Sequence, residues 1–119
     1  MSALAGLPDA AIVDFEETLA RKLYALDGRA WARESGSIWR GEPNRISEDE
    51  FLYARCAVVA NGQGSYEAVL ATPSLMPKDL EFESLLYVAG TAFERRTHQP
   101  LDAETKVSWE TFSNRDGWA

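Results

Sequence analysis

Apolar residues recur at steps of three and four in the first quarter of the chain, at Ile12, Phe15, Leu19, Leu23 and Leu26, with Asp14, Glu17, Thr18, Arg21 and Lys22 on the other side. That period predicts an amphipathic helix over about 8–26. Pro8 stands where a first-turn proline does no harm. The stripe reads as core, because a cofactor box needs polar groups within it.

A denser apolar run follows at 51–59, and its start is marked locally. Ser47 and Glu50 have the S-x-x-E spacing of a capping box, and Ile46 and Phe51 the spacing of a hydrophobic staple. Glu48, Asp49 and Glu50 place negative charge in the first turn, where the helix dipole favours it by about 0.3–1 kcal/mol each before mutual repulsion. Asn61-Gly62 supplies the stop. This is the central helix, 48–61. Phe51, Leu52, Val58 and Val59 share a broad face with Arg55 in its middle. Three readings stand for Arg55: a stem over apolar neighbours with its head in water, a buried guanidinium tied to a carboxylate on another helix, or a ligand contact.

The third long helix is expected over 79–96. Phe82, Leu85, Leu86, Ala89, Ala92 and Phe93 form its core side, and Arg95 and Arg96 complement its C-terminal dipole. Glu83, Tyr87, Gly90, Thr91 and Glu94 align opposite. Glycine costs about 1 kcal/mol relative to alanine inside a helix, so a close approach is expected at Gly90, from this chain or from a partner or ligand pressed on Tyr87. Two short helices fill the gaps. One, near 29–34, carries Trp31 inward; the other is capped by Ser65, shows Tyr66, Val69 and Leu70, and stops at or before Thr72 because Pro73 follows. Residues 36–46 have loop composition, and Trp39 there is either a plug over the core or an exposed anchor. In the tail, 98–119, Val107, Trp109 and Phe112 alternate with polar residues, which reads as extended, and Trp118 is expected to dock on the body. The fold class that emerges is all-α: a small irregular helical bundle with three main helices, short extra helices and an extended C-terminal tail.

Composition narrows the function. At 119 residues the chain suits one domain, 1–119, and 45% hydrophobic content with four Trp can fill a core. Net charge is −7, which argues against nucleic-acid binding and permits a basic protein partner. The one cysteine, Cys56, lies in the apolar run and points to a reducing compartment. A basic leader before a long apolar stretch is not seen, and no run nears the roughly 20 apolar residues that cross a bilayer. A soluble cytoplasmic protein is expected.

Ser47-Glu48-Asp49-x-Phe51-x-Tyr53-x-Arg55, then Gly62, Tyr66-Glu67-Ala68-x-Leu70 and Pro73, and the closing helix Glu83 to Thr97, resemble the motifs of a bacterial family known only as domain of unknown function 4240. The likeness spans about 12–98. The chain departs from it at Ala54 and Ala57, where members tend to carry aromatics, at Pro73-Ser74, where an acidic residue usually follows the proline, and in a longer 36–46 loop. The resemblance implies an all-helical bacterial domain and no particular activity.

Candidate chemistry is sparse. His98 and Cys56 are far apart and cannot make a zinc site. Glu48, Asp49 and Glu50 lack EF-hand spacing, Gly62-x-Gly64 lacks the rest of a phosphate loop, and no G-x-S-x-G is present. No metal and no cofactor are expected. Paired-carboxylate hydrolysis by Glu83, Glu94 and Asp49 is the enzymatic alternative. The leading expectation is a non-catalytic protein-binding module, such as an immunity- or antitoxin-type inhibitor of a bacterial effector. The alternative is a ligand-sensing or regulatory domain, with Tyr53, Arg55, Tyr87 and Glu83 lining a cleft. Partner contacts are expected at Glu48, Asp49, Glu94 and Trp39.

Overall fold

Ser47 caps the central helix as its spacing requires: its extended backbone lets Oγ accept from the Glu50 amide at 3.3 Å. The structure is a computed structural model and describes residues 9–35, 47–78, 80–101 and 105–119; Pro8, Trp39, Ile46 and the 36–46 loop lie outside them. The described elements are α1 (Asp9–Ala25), α2 (Arg29–Ala32), α3 (Glu48–Ala60), α4 (Gln63–Ala71), a 3-10 turn Pro73–Leu75, a second 3-10 turn Glu83–Tyr87, α5 (Val88–Thr97) and α6 (Arg115–Trp118). No strand occurs among the described residues. The fold is all-α.

α3 is central and packs against α1, α4 and the second 3-10 turn. It is buried on nearly all sides, with Ala54, Cys56 and Ala57 as covered as Phe51, Leu52 and Val58. One face was expected to be enough; a helix with neighbours all round needs small residues where they come close, and the alanines provide that. Three apolar clusters result. Leu26, Phe51, Ala54, Val58, Tyr66 and Val69 join α3 to α4. Leu19, Leu23, Leu52 and Cys56 join it to α1. Ile12 meets Ala89 and Ala92 between α1 and α5. Burial pushes the Cys56 thiol up to about 12, so it is inert core.

Two chain reversals follow local rules. Gly62 has φ 106°, a value that favours glycine, and it rather than Ser65 is the residue ahead of α4. α4 ends at Ala71, two residues before Pro73. The tyrosine hydroxyl of Tyr66 donates to the Lys22 carbonyl at 3.0 Å and ties α4 back to α1.

The third long helix is shorter than expected. Phe82 has a non-helical backbone, φ −150° and ψ 68°, and its amide donates to the Tyr53 carbonyl at 2.9 Å. The chain then makes the 3-10 turn, and α-helix begins only at Val88. Phe82 is therefore 45% exposed instead of core. A tertiary hydrogen bond to α3 overrides the helical period there.

The tail is held at its end by Asp27. This carboxylate is fully buried and accepts from the Phe112 amide at 3.1 Å, the Asn114 amide at 2.9 Å and the Trp118 indole at 2.7 Å. Trp118 meets Phe51 edge-on with ring centres 5.9 Å apart. The approach is close enough to exclude a side chain at Gly117, whose Cβ would lie 2.3 Å from the Asp27 carbonyl oxygen. Trp118 docks on the body as expected, but on a one-turn helix.

Candidate functional site

Arg55 is not at a site. Its side chain is 0% exposed, with Nη1 donating to the Leu23 carbonyl at 2.8 Å and Nη2 to the Thr111 hydroxyl at 3.0 Å. The guanidinium lies 4.8 Å from the Phe51 ring centre. Burial pulls its pKa down to about 10, against the opposing charge of Asp27, so it stays protonated at neutral pH. Two of the three expected alternatives are corrected. The head does not reach water and, among the described residues, makes no direct carboxylate pair. The inward cation instead bonds the end of α1 and the tail through its two terminal nitrogens, while Nε is buried without a partner.

The opening lies on the other side of α3. A cleft of about 840 Å³ runs between α3, α5 and the tail. α3 contributes Asp49, Leu52 and Tyr53; the segment through α5 contributes Leu86, Tyr87, Gly90, Thr91 and Glu94. Residues 105–110 of the tail form the facing wall, with Lys106, Trp109 and Glu110. That wall is pinned at both ends. The Lys106 amide donates to Glu17 Oε1 at 2.9 Å, and the Thr111 hydroxyl donates to the Glu48 carbonyl at 2.7 Å. Glu17 also takes Arg21 Nε at 2.9 Å; that bond first, and the Lys106 amide second, hold its carboxyl below the usual range.

Gly90 is explained by the opening and not by a contact. Nothing lies within 4 Å of where its Cβ would be. The absent side chain leaves room in the cleft, so the expected approach by another part of this chain is corrected to open space, and the room beside Tyr87 for a partner or ligand is left open.

Charge in the cleft is one-sided. Glu16, Asp49, Glu94 and Glu110 line it against one cation, Lys106. Tyr53, Tyr87 and Trp109 give it aromatic surface. At the rim the Tyr87 hydroxyl donates to Glu83 Oε2 at 3.0 Å, and that bond chiefly raises the Tyr87 pKa. Desolvation, then the charge of Glu83, raises that of Tyr53. Of the residues singled out in the sequence, Asp49, Tyr53, Tyr87 and Glu94 converge here, and Glu83 joins through Tyr87. Glu48 is exposed, and its carbonyl accepts from the Thr111 hydroxyl of the tail. No group of three metal-ligating side chains occurs among the described residues.

The cleft residue that sequence reasoning missed is Glu16. It is 8% exposed, and its Oε1 is sealed from water without a hydrogen-bond partner. Burial pushes its carboxyl up from the ordinary 4.5. A signal existed: Glu16 falls four residues after Ile12 and three before Leu19, on the apolar stripe of α1. An acid whose folded-state pKa is raised stabilises the fold below its unfolded pKa and loses that contribution as pH rises through the raised value. Glu16→Met is thus expected to stabilise the free protein by about 1–3 kcal/mol near pH 7, the scale of an unsatisfied buried polar group, and by less near pH 4. Urea denaturation of both proteins at the two pH values measures it; equal stability at neutral pH would refute it.

The family model described as "Protein of unknown function (DUF4240)" matches residues 1–95. The chain belongs to the DUF4240 family. No curated protein and no solved structure matches it. The matched range carries Glu16, Asp49, Tyr53, Tyr87 and Glu94, whereas the 105–110 wall lies beyond it. No helix among the described residues is long and apolar enough to cross a membrane.

Proposed function

We propose that this DUF4240 member is a non-catalytic, cytoplasmic binding module that engages a basic protein partner through the cleft between α3, α5 and the tail. The observation that carries this is the sign of the cleft. Four lining carboxyl groups face one lysine, and the whole chain carries −7. Low-dielectric walls focus such a field and steer cations into it. Aromatic surface from Tyr53, Tyr87 and Trp109 adds ring faces, which attract cations. With Arg55 in the core, the described lining offers an anion only Lys106, so a basic occupant fits better than an acidic metabolite. An immunity- or antitoxin-type inhibitor of a bacterial effector is one form such a module takes.

The test uses short basic peptides and the fluorescence of the tryptophans, one of which lines the cleft. Saturable binding is expected, weakened severalfold by raised salt and at least tenfold by the Asp49→Asn, Glu94→Lys double variant. Binding that ignores the double variant, or no binding, would reject the reading. A hydrolase using Glu83, Glu94 and Asp49 predicts a different outcome: turnover of a glycoside or ester by the purified chain, abolished by Glu94→Gln.

A further inference from the structure

We infer that Glu16 is the anchor of the cleft and that the group it takes is the guanidinium of an arginine side chain presented by the partner. The inference rests on the cleft's being a cation site, and it adds which residue selects the cation and which cation is selected.

Glu16 is the cleft carboxyl that the fold leaves least satisfied. More than nine-tenths of it is buried, it lines the cleft, and Oε1 has neither water nor a protein donor. Native proteins pair nearly all buried polar atoms, so an exception calls for an explanation. Neighbouring groups do not supply one. Glu17, one residue on, is exposed enough to use both oxygens, on Arg21 and on the Lys106 amide. Arg21 is thereby engaged elsewhere, and neither it nor Lys106 donates to Glu16 Oε1. Glu16 instead falls on the apolar stripe of α1 at helical spacing from Ile12 and Leu19, side chains that offer no donor. Held in this state, the carboxyl destabilises the free protein. A donor entering the cleft relieves that once the Glu16 side chain turns to present the sealed oxygen, so binding is favoured at this carboxyl above the other acids, which remain hydrated when the cleft is empty.

Guanidinium fits better than ammonium for two reasons. It is weakly hydrated and planar, so it gives up less on leaving water and can lie against a ring while its N–H groups reach a carboxylate. Ring faces are present at Tyr53, Tyr87 and Trp109. An ammonium would need three acceptors around a point and would lose a tightly held hydration shell. The open space over Gly90 leaves a flat group room to enter.

The experiment takes one peptide in three versions, with arginine, lysine or citrulline at a single position, and measures dissociation constants with the full chain and with Glu16→Gln. The arginine peptide is expected to bind about tenfold or more tighter than the citrulline peptide, the scale of one hydrogen bond to a charged group, and several times tighter than the lysine peptide. Glu16→Gln should remove the arginine preference and leave citrulline binding unchanged, which a loss of structure would not do. The carboxyl carbon of Glu16, followed by NMR in the unaltered protein, should shift as arginine peptide is added. If all three peptides bind, respond to Asp49→Asn with Glu94→Lys, and ignore Glu16→Gln, the anchor is wrong and the cleft reading stands. If none binds, both fall. Equal affinity for arginine and lysine would overturn the guanidinium assignment alone.

Discussion

Asp27→Ala is expected to lower stability by about 3–5 kcal/mol, the range for breaking a buried charged network by removing one partner. The carboxylate is 0% exposed and holds three donors from the tail, the Phe112 and Asn114 amides and the Trp118 indole. Bonds to a charged acceptor contribute about 1.5–3 kcal/mol each but do not add, since all three donors can return to water once the tail lifts. Lifting in turn uncovers Phe51, on which Trp118 rests. It also removes the charge that opposes the burial of Arg55. Thermal unfolding should move down by about 10–20 °C at the scale of a domain this size, and amides 111–118 should lose hydrogen-exchange protection before those of α3. Because the tail forms a wall of the cleft, peptide affinity should fall with it. Asp27→Asn keeps one acceptor oxygen and should lose about half as much. A variant within 1 kcal/mol of the parent would show that the tail is fastened by packing alone.

Arg55→Ala should cost a similar amount, about 3–5 kcal/mol, for a different reason. Here the loss combines a void where a fully buried long side chain stood with an unmet Leu23 carbonyl and the loss of the bond that the Thr111 hydroxyl accepts. Asp27 is also left without the nearby positive charge. Arg55→Met refills most of the volume without the charge, so it should recover roughly half of the loss. Urea denaturation separates the three proteins. The methionine variant, if folded, should bind basic peptides as the parent does, because Arg55 does not line the cleft. Full stability in Arg55→Ala would dismiss the internal tie; a loss of peptide binding in Arg55→Met with the fold intact would restore Arg55 to the ligand site.

Several cleft residues could be named in advance because they sit on helical faces. Tyr87 and Glu94 share one side of the last helix by period alone, and Asp49 and Tyr53 follow from a well-marked start at Ser47. Glu16 and the tail wall could not be found the same way. An acid inside an apolar stripe such as Glu16 has the same helical period as the core residues around it, so the period does not set it apart. The wall depends on Glu17 and Asp27 reaching residues 89 and 85–91 positions away, and no periodicity reports that.

The sequence by itself determined the helical class, the capped α3, the stop before Pro73 and the inward stripe of α1. These rest on interactions within a turn or two of helix, between residues the chain already holds together. Tertiary structure alone decided that Phe82 bonds to α3 and cuts the last helix short, that Arg55 finds a carbonyl and a hydroxyl in place of a carboxylate, and that Gly90 faces open space. It also decided that acids from α1, α3, α5 and the tail share one cleft. Each of those is a competition among distant partners for the same buried donor, acceptor or volume, and its outcome is fixed only when the helices have packed.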